Sequence, residues 1–253
     1  MTGVRRFALV ALLLAVRLAA AEPVDVLLVA ADDALLQPVL ARLAHAQSTT
    51  RGAWTCWTGQ LSGQRVALTR AEGDPLNAVA ATTLAIRQHP PRLVLVFSAG
   101  RPVAPGVQAG DVVVSEKFAA FDGFVSPVTG RDGGSDSLTW KKLPHLLMTP
   151  GEKEVPAETF PADAPAAAIA LRVKPARGRV LAGVIGSANQ INGEADRLRW
   201  LHQTWGVSAA DRVSAHVAGC ARLLAVPVVG VCVVDGSVAD VTGFTLQLLE
   251  ALR

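Results

Sequence analysis

An unbroken apolar run at residues 93–97, LVLVF, constrains the fold of this chain more than any other segment. Such a run is typical of a strand buried on both faces of a sheet, as in α/β proteins with helices on both sides. Ser98-Ala99-Gly100 follows, and these small residues predict a sharp turn that lets the backbone approach a ligand. Ligands of open α/β sheets bind beyond the carboxyl ends of the strands, so the sequence predicts a site at residues 98–100. A tight turn without a ligand fits the spacing equally well.

The remaining chain alternates between apolar strand patterns and helical patterns, which predicts an α/β domain. Further strands are expected at Val24–Ala30, 112–114, 179–186 and 226–234, and a hairpin at 53–61 and 64–70. Helices are expected at 34–46, 76–88, 165–171, 194–204, 208–225 and 242–253. No internal repeat or domain boundary interrupts this order, so we expect a single domain.

The first 21 residues have the features of a secretory signal peptide. Arg5-Arg6 forms a basic start, residues 7–16 form an apolar core too short to span a bilayer, and Ala19-Ala20-Ala21 supplies small residues for cleavage before Glu22. Arg17 weakens the match, and an uncleaved anchor is the alternative. We therefore expect residues 1–21 to be removed and residues 22–253 to be exported, periplasmic or secreted, with no membrane association after cleavage.

Charge and cysteine content exclude several classes of function. Three of the 24 basic residues lie in the first 21, so the remaining chain carries as many basic as acidic residues and shows no nucleic-acid-binding surface. Cys56, Cys220 and Cys232 form no C-x-x-C pair, which argues against a zinc or redox motif. The sequence allows one disulfide among the three. No metal and no cofactor is expected.

Two groups of side chains are candidates for chemistry. Asp32 and Asp33 follow the first strand, where a carboxylate either caps the next helix, the favoured role, or serves in catalysis. His216 and Cys220 are four residues apart on one predicted helix, with Asp211 one turn earlier. A Cys–His–Asp nucleophile can be imagined there, but core packing is the favoured interpretation.

Four segments together resemble the nucleoside phosphorylase superfamily, and within it the methylthioadenosine/S-adenosylhomocysteine nucleosidases. They are WTGQLSGQRVAL at 57–68, SAG at 98–100 with GDVVVS at 110–115, GVIGSANQING at 183–193 and VPVVGVCVVDGSVAD at 226–240. The resemblance implies a mixed, twisted central sheet flanked by helices, a homodimer, and a nucleoside or base as the small-molecule partner. The implied reaction is cleavage of an N-glycosidic bond by an acid and an attacking water or phosphate.

The resemblance also implies positions for the site. Ser98, Ala99 and Gly100 would bind the nucleophile or phosphate, and Asp235 would be the acid. The family's catalytic glutamate falls on Ala34, so Asp32 or Asp33 would have to replace it.

Substrate-binding positions of the family also carry different residues here. The base-stacking aromatic position falls near Gln190. The ribose-binding Met-Glu pair falls on Arg212-Val213, with Asp211 beside it. The sequence therefore predicts a degenerate site.

Two functions follow. In the first, Asp235 protonates the base of a purine-nucleoside-type substrate, Asp32 or Asp33 orients water, and Arg212 contacts an altered sugar or an anionic substituent. In the second, the chain is a non-catalytic nucleoside or small-molecule binding or storage protein, because groups that act as a unit are not replaced one at a time.

The residues just before Ser98-Ala99-Gly100 disfavour phosphorolysis, in which phosphate takes the place of water. Where the phosphorylases have a phosphate-binding arginine, this chain has valines and a leucine at 94–96. Arg101, after the SAG segment, either recruits an anion or is a solvated arginine.

Overall fold

A computed structural model describes residues 22–129, 132–148 and 154–253, so the predicted signal peptide lies outside the described residues. The strands in these ranges are β1 (Val24–Ala30), β2 (Ala44–Arg51), β3 (Trp54–Leu61), β4 (Gln64–Arg70), β5 (Pro91–Pro102), β6 (Val112–Ala120), β7 (Phe124–Val125), β8 (Lys141–Lys142), β9 (His145–Leu147), β10 (Val155–Ala157), β11 (Phe160–Pro161), β12 (Val180–Ser187), β13 (Val207–Asp211) and β14 (Val228–Val234). The helices are α1 (Asp33–Leu40), α2 (Pro75–Gln88), α3 (Ala164–Ala170), α4 (Ala195–Trp205), α5 (Ser214–Leu223) and α6 (Val238–Ala251), with a 3₁₀ turn at Ser137–Thr139.

One mixed ten-stranded sheet organises the molecule, in the order β11-β6-β12-β13-β5-β1-β4-β3-β2 with β14 pairing both β5 and β6. Strand β5 is parallel to β1 and β14 and antiparallel to β13. Because β14 joins β5 to β6, the strands β5, β13, β12, β6 and β14 close into a ring. This confirms the predicted α/β class with a mixed central sheet in a single domain.

Helices cover the sheet in two groups, with α2 packed against α5 and with α1 and α3 packed against α6. Their apolar side chains meet the fully buried residues of the central strands, such as Leu27, Leu28 and Leu95. Burial on both faces explains why β1, β5 and β14 read as continuous apolar runs. In the described ranges, no helix has the length and apolar character needed to cross a bilayer.

Strand β5 corrects the expectation of a turn at residues 98–100. The strand continues to Pro102 because both of its neighbours continue with it, so that Gly100 pairs with Val234 of β14 and Arg101 with Ala210 of β13. The small residues are needed for close packing. A Cβ on Gly100 would lie 2.6 Å from the carbonyl oxygen of Ala210 and would also collide with the sulfur of Cys232.

Two predicted helices are shorter than expected, since part of each is a strand. The helix predicted at 34–46 ends at Leu40, and Ala44–Arg51 pairs with β3 as an edge strand. The helix predicted at 208–225 begins at Ser214, because Gly206 ends α4 in the left-handed conformation and β13 follows directly. In both segments, pairing with a neighbouring strand overrides a helical pattern.

Candidate functional site

A cavity of about 360 Å³ lies where β1, β5 and β13 end or leave the sheet. Ala31 follows β1, Ala99 and Gly100 belong to β5, and Ala210 belongs to β13, and all four line the cavity. Small side chains from three strands thus leave the space open. The location agrees with the rule that ligands of α/β sheets bind at the carboxyl ends of strands.

Asp32 brings a carboxylate to this cavity. It is the N-cap of α1, and its Oδ1 accepts a hydrogen bond from the backbone N–H of Leu35 at 2.9 Å. No other protein donor among the described residues bonds this side chain, so Oδ2 is free to bind water or a ligand. The capping role predicted from the sequence is present, and it leaves half of the carboxylate available.

Asp211 also lines the cavity, but hydrogen-bond donors of the protein occupy both of its carboxylate oxygens. Its Oδ1 accepts from the Ser187 hydroxyl at 2.5 Å and from the backbone N–H groups of Val213 and Ser214 at 3.0 Å. Its Oδ2 accepts from the Ser214 hydroxyl. Asp211 is 9% exposed. These four bonds make it the anchor that joins β12, β13 and the start of α5.

Two arginines supply positive charge to the same cavity. Nη1 of Arg101 donates to the backbone carbonyl of Asn192 at 3.4 Å, and Nη2 of Arg212 donates to Oδ1 of Asn189 at 2.5 Å. Within the described ranges, neither guanidinium lies within 4.0 Å of a carboxylate oxygen. Asn189 is itself anchored, since its Nδ2 donates to Oδ2 of Asp74 at 3.4 Å.

An apolar wall completes the cavity, and three of its five residues, Phe121, Leu198 and Leu201, were not predicted from the sequence. It consists of Phe121, Ile191, Leu198, Leu201 and Val213. Leu198 and Leu201 lie in the predicted helix at 194–204, where apolar residues at this spacing usually indicate core packing, and Phe121 follows β6 in a segment without clear periodicity. The segment at 187–193, which contains Ile191, and the Arg212-Val213 pair carried the signals for this part of the site.

A second, more open depression adjoins the first, because Gln190 and Asn192 line both. Its floor contains Phe124 and Trp140, whose rings stack with centroids 3.9 Å apart. The guanidinium of Arg197 lies 5.5 Å from the centre of the Trp140 ring. A ligand larger than the first cavity therefore has a continuous surface on which to extend.

Three of the predicted site residues do not line the cavity. Asp33 is ion-paired with Arg70, with Nη1 of the arginine 2.5 Å from Oδ1. Asp235 is an exposed residue in the left-handed conformation at the end of β14, beside Gly100 through a backbone hydrogen bond of 2.7 Å. Ser98 is fully buried, and its hydroxyl has no hydrogen-bond partner among the described residues. The other predicted residues, Asp32, Ala99, Gly100, Gln190, Asp211 and Arg212, come together in the cavity.

The cysteines are buried free thiols and do not form a nucleophilic set. Nε2 of His216 is 3.0 Å from Oδ2 of Asp122, so its carboxylate partner is Asp122 and not Asp211. Sγ of Cys220 lies 3.1 Å from the Thr83 hydroxyl. Burial raises the pKa of Cys220. Burial, reinforced by the charges of Asp211 and Asp235, also raises the pKa of Cys232. Neither thiol is poised to ionise, which favours the core-packing interpretation of Cys220.

In the ranges described, no cluster of three or more histidine, cysteine, aspartate or glutamate side chains is arranged to hold a metal ion. The polar groups in the cavity lining with unused hydrogen-bonding capacity are the second carboxylate oxygen of Asp32, two guanidinium groups and the amides of Gln190 and Asn192. Such a set can bind a polar organic molecule, hold a water against it and stabilise negative charge.

Solved structures with the same fold include two nucleosidases and a futalosine hydrolase. A 5′-methylthioadenosine/S-adenosylhomocysteine nucleosidase from Neisseria meningitidis, in complex with methylthio-immucillin-A, is 17% identical with a TM-score of 0.69, covering 90% of this chain and 97% of that one. The nucleosidase from Colwellia psychrerythraea, in complex with adenine, is 15% identical with a TM-score of 0.73, covering 91% and 96%. A futalosine hydrolase mutant of Helicobacter pylori is 16% identical with a TM-score of 0.70, covering 90% and 96%.

At these identities the likeness concerns the fold, and the sequence supplies the family. The sequence model of the family described as the Phosphorylase superfamily matches residues 25–250, which is nearly all of the chain after the first 24 residues. The motifs at 57–68, 98–100, 183–193 and 226–240 all lie inside that match. The chain therefore belongs to the phosphorylase superfamily.

Proposed function

We propose that the cavity binds a purine-type nucleoside and that the protein hydrolyses its N-glycosidic bond. The observation that carries this proposal is the position of Asp32, a carboxylate with one free oxygen in a cavity at the strand ends. Membership of the phosphorylase superfamily supports the reaction class. Solved structures of the same fold that hold adenine or a nucleoside analogue support the ligand class.

Hydrolysis needs a base that orients water, and Asp32 supplies it. Its free oxygen accepts a proton from the water as the water oxygen bonds to the anomeric carbon. The C–N bond breaks, its electron pair goes to the leaving base, and that base takes up a proton. The amides of Gln190 and Asn192 are the donors in the cavity that can hydrogen-bond the departing base, while Phe121 and Ile191 pack against its ring.

Asp235 remains the predicted source of the proton for the leaving base. It starts from an exposed position outside the cavity lining, next to Gly100. For this role its carboxyl group must turn toward the bound base once the base occupies the cavity. The mechanism therefore depends on two residues that the structure places differently, Asp32 inside and Asp235 at the edge.

The test compares two N-cap aspartates that each accept one backbone hydrogen bond of 2.9 Å from the residue three positions later. Asp32→Asn keeps an N-cap oxygen for Leu35, and Asp163→Asn does the same for α3, where Asp163 Oδ1 accepts from Ala166 at 2.9 Å. Residues 22–253 are incubated with methylthioadenosine, S-adenosylhomocysteine, adenosine and inosine, and the release of free base is followed. We expect release by the wild type and by Asp163→Asn, and at least a 100-fold loss in Asp32→Asn. Equal rates in all three would refute the proposal.

The second candidate function is a non-catalytic nucleoside-binding or storage protein. The ion pair of Asp33 with Arg70 and the exposed position of Asp235 favour it, because two of the three predicted acids are then not aimed at a ligand. Thermal stabilisation by a nucleoside, without base release from any substrate in the panel, would establish this function. Base release that depends on Asp235 as well as Asp32 would exclude it.

We further propose that the protein is exported and acts as a homodimer. Export rests on the signal-peptide pattern of residues 1–21. The N-terminal sequence of protein recovered from the periplasm or medium tests it, with Glu22 as the expected first residue. For the dimer, α2 exposes Leu76, which is 81% exposed, beside Val79, and α5 exposes Leu223. Light scattering is expected to give twice the monomer mass, and Leu76→Asp is expected to reduce it.

A further inference from the structure

We propose that the ligand is a nucleoside that carries an anionic group on its sugar, and that Arg101 and Arg212 together bind this group. The inference rests on the proposed nucleoside-binding function and names the substrate class of the same cavity. Phosphate and carboxylate share the relevant chemistry, since each presents two oxygens to the planar fork of a guanidinium.

Both arginines have unused hydrogen-bonding capacity. A guanidinium carries five N–H donors. In the described structure, Arg101 uses one of them on the Asn192 carbonyl and Arg212 uses one on the Asn189 amide oxygen. Among the described residues, several exposed arginines elsewhere also lack an ion pair. What distinguishes these two is that they line one cavity.

Both side chains come from the region where β5 and β13 pair. Arg101 of β5 pairs with Ala210 of β13 in an antiparallel register, and Arg212 directly follows Asp211, the last residue of β13. Arg101 donates to the carbonyl of Asn192 and Arg212 to the side chain of Asn189, so both guanidinium groups contact the segment 189–192 and line the same cavity. Two guanidinium groups in one cavity can bind one tetrahedral or planar anion from two directions.

The carboxylates of the cavity do not neutralise these arginines. Asp211 already accepts four hydrogen bonds from Ser187, Val213 and Ser214. Asp32 keeps one oxygen free, but within the described residues it forms no ion pair with either arginine. In the part of the chain that the structure describes, both guanidinium groups are therefore without an ion pair, and the cavity walls around them are largely apolar. An anion that enters replaces their water with charge-assisted hydrogen bonds.

The side chain of Arg212 has a hydrogen-bond partner before any ligand binds. Asn189 holds its guanidinium, and Asp74, the N-cap of α2, holds the Asn189 amide. A guanidinium that is already oriented loses less side-chain entropy when a ligand binds. This chain of contacts makes Arg212 an anchor at the cavity rim.

The experiment measures binding by calorimetry with matched ligands. The probes are adenosine, adenosine 5′-monophosphate, adenosine 3′-monophosphate, adenosine 5′-carboxylic acid and its neutral carboxamide, with inorganic phosphate alone as a further arm. We expect at least one anionic nucleoside to bind about tenfold or more tightly than its neutral counterpart. This preference should shrink as salt is raised, because the cavity is open to solvent.

Three arginine-to-glutamine variants show which arginines cause the preference for the anionic ligand. Arg101→Gln and Arg212→Gln should each weaken the binding of the anionic ligand much more than that of adenosine, and so remove most of the preference for the anionic ligand. Arg199→Gln, an exposed arginine outside the cavity, should change neither affinity. Melting temperatures confirm that all three variants are folded.

The outcomes separate this inference from the proposed hydrolysis. Equal affinities for charged and neutral nucleosides, no binding of any nucleoside, or the same loss in Arg199→Gln would overturn the inference. So would a full response to inorganic phosphate alone, which would make the arginines a free-anion site. Base release is read separately: anion-selective binding without release refutes only the hydrolysis, and release of base from neutral nucleosides without anion selectivity refutes only this inference.

Discussion

Asp32 and Asp211 lie at two corners of one cavity, each between a strand and a helix, and each accepts hydrogen bonds from backbone N–H groups at the start of that helix. They differ in what remains of the carboxylate. Asp211 is buried with four donors on its two oxygens, whereas Asp32 is half-buried with one donor. Lining a cavity is therefore a different property from being available to a ligand. The number of protein donors on each carboxylate decides whether it acts as an anchor or as a reactive group.

The largest expected effect separates the two carboxylates by stability. Asp211→Ala leaves the hydroxyls of Ser187 and Ser214 and two backbone N–H groups without their acceptor, which should lower the free energy of unfolding by about 3 kcal/mol or more. Asp32→Ala removes one cap bond and should cost about 1 kcal/mol. Urea unfolding of residues 22–253, followed by circular dichroism, measures both. Losses that agree within about 0.5 kcal/mol would show that the anchor and the cap are equivalent.

The floor of the cavity gives the next largest effect. Gly100→Ala places a Cβ against the sulfur of Cys232 and 2.6 Å from the Ala210 carbonyl oxygen, so we expect a cost of about 1–3 kcal/mol and weaker nucleoside binding. Gly193→Ala is the matched control at the rim, since its Cβ would meet only Arg101, at 3.9 Å. Urea unfolding and calorimetry check both variants. If Gly100→Ala is tolerated, β5 and β13 can move apart. The comparison of Asp32 with Asp211 would then no longer rest on strands that hold fixed positions.

Asp111 extends the comparison to a second saturated carboxylate, away from the cavity. It is 2% exposed and accepts from the backbone of Gln108 and from the backbone and side chain of Arg179. The hydrogen bond from the Arg179 side chain is the main reason that the pKa of Asp111 lies below its usual value. A carboxyl with a depressed pKa stabilises the fold above its unfolded-state pKa, about 3.9, and this contribution is lost as the pH falls.

Asp111→Asn should therefore reduce stability by about 1 kcal/mol near pH 7, and the difference from wild type should shrink between pH 5 and pH 2. Urea unfolding at several pH values measures this difference. A difference that stays constant over the acid range would show that the charge of Asp111 does not contribute.

The sequence predicted the central strands because burial on both faces leaves an apolar run that needs no information from elsewhere in the chain. Residues 93–97 and 228–234 are of this kind. Prediction from the sequence failed where pairing with a partner strand determines the local structure. Ala44–Arg51 is polar and fully exposed, and only its pairing with β3 makes it a strand. Likewise, Ser98-Ala99-Gly100 continues β5 because β13 and β14 extend beside it.

The site was predictable to the same extent. Asp32 and Gly100 follow predicted strands, and they line the cavity as the local order along the chain indicates. Asp211 follows only from the family resemblance and from its spacing to His216, because the pattern at 208–225 predicts a helix around it and not the end of β13. The state of each carboxylate depends on residues far away in sequence, such as Arg70 for Asp33 and Ser187 for Asp211. Sequence spacing contains no measure of these contacts, so it could not rank the acids.

The smallest expected effect tests two adjacent residues. Asp33 forms an ion pair with Arg70 at the surface, where such pairs contribute about 0–1 kcal/mol, and Glu72 gives Arg70 a second carboxylate partner. Asp33→Asn should therefore change the free energy of unfolding by less than about 0.5 kcal/mol and should retain base release, in contrast to Asp32→Asn. Urea unfolding and the base-release assay on the same preparations check both statements. If Asp33→Asn loses base release while Asp32→Asn keeps it, the ion pair with Arg70 opens when substrate binds, and the reactive carboxylate is the one that the unliganded protein holds outside the cavity.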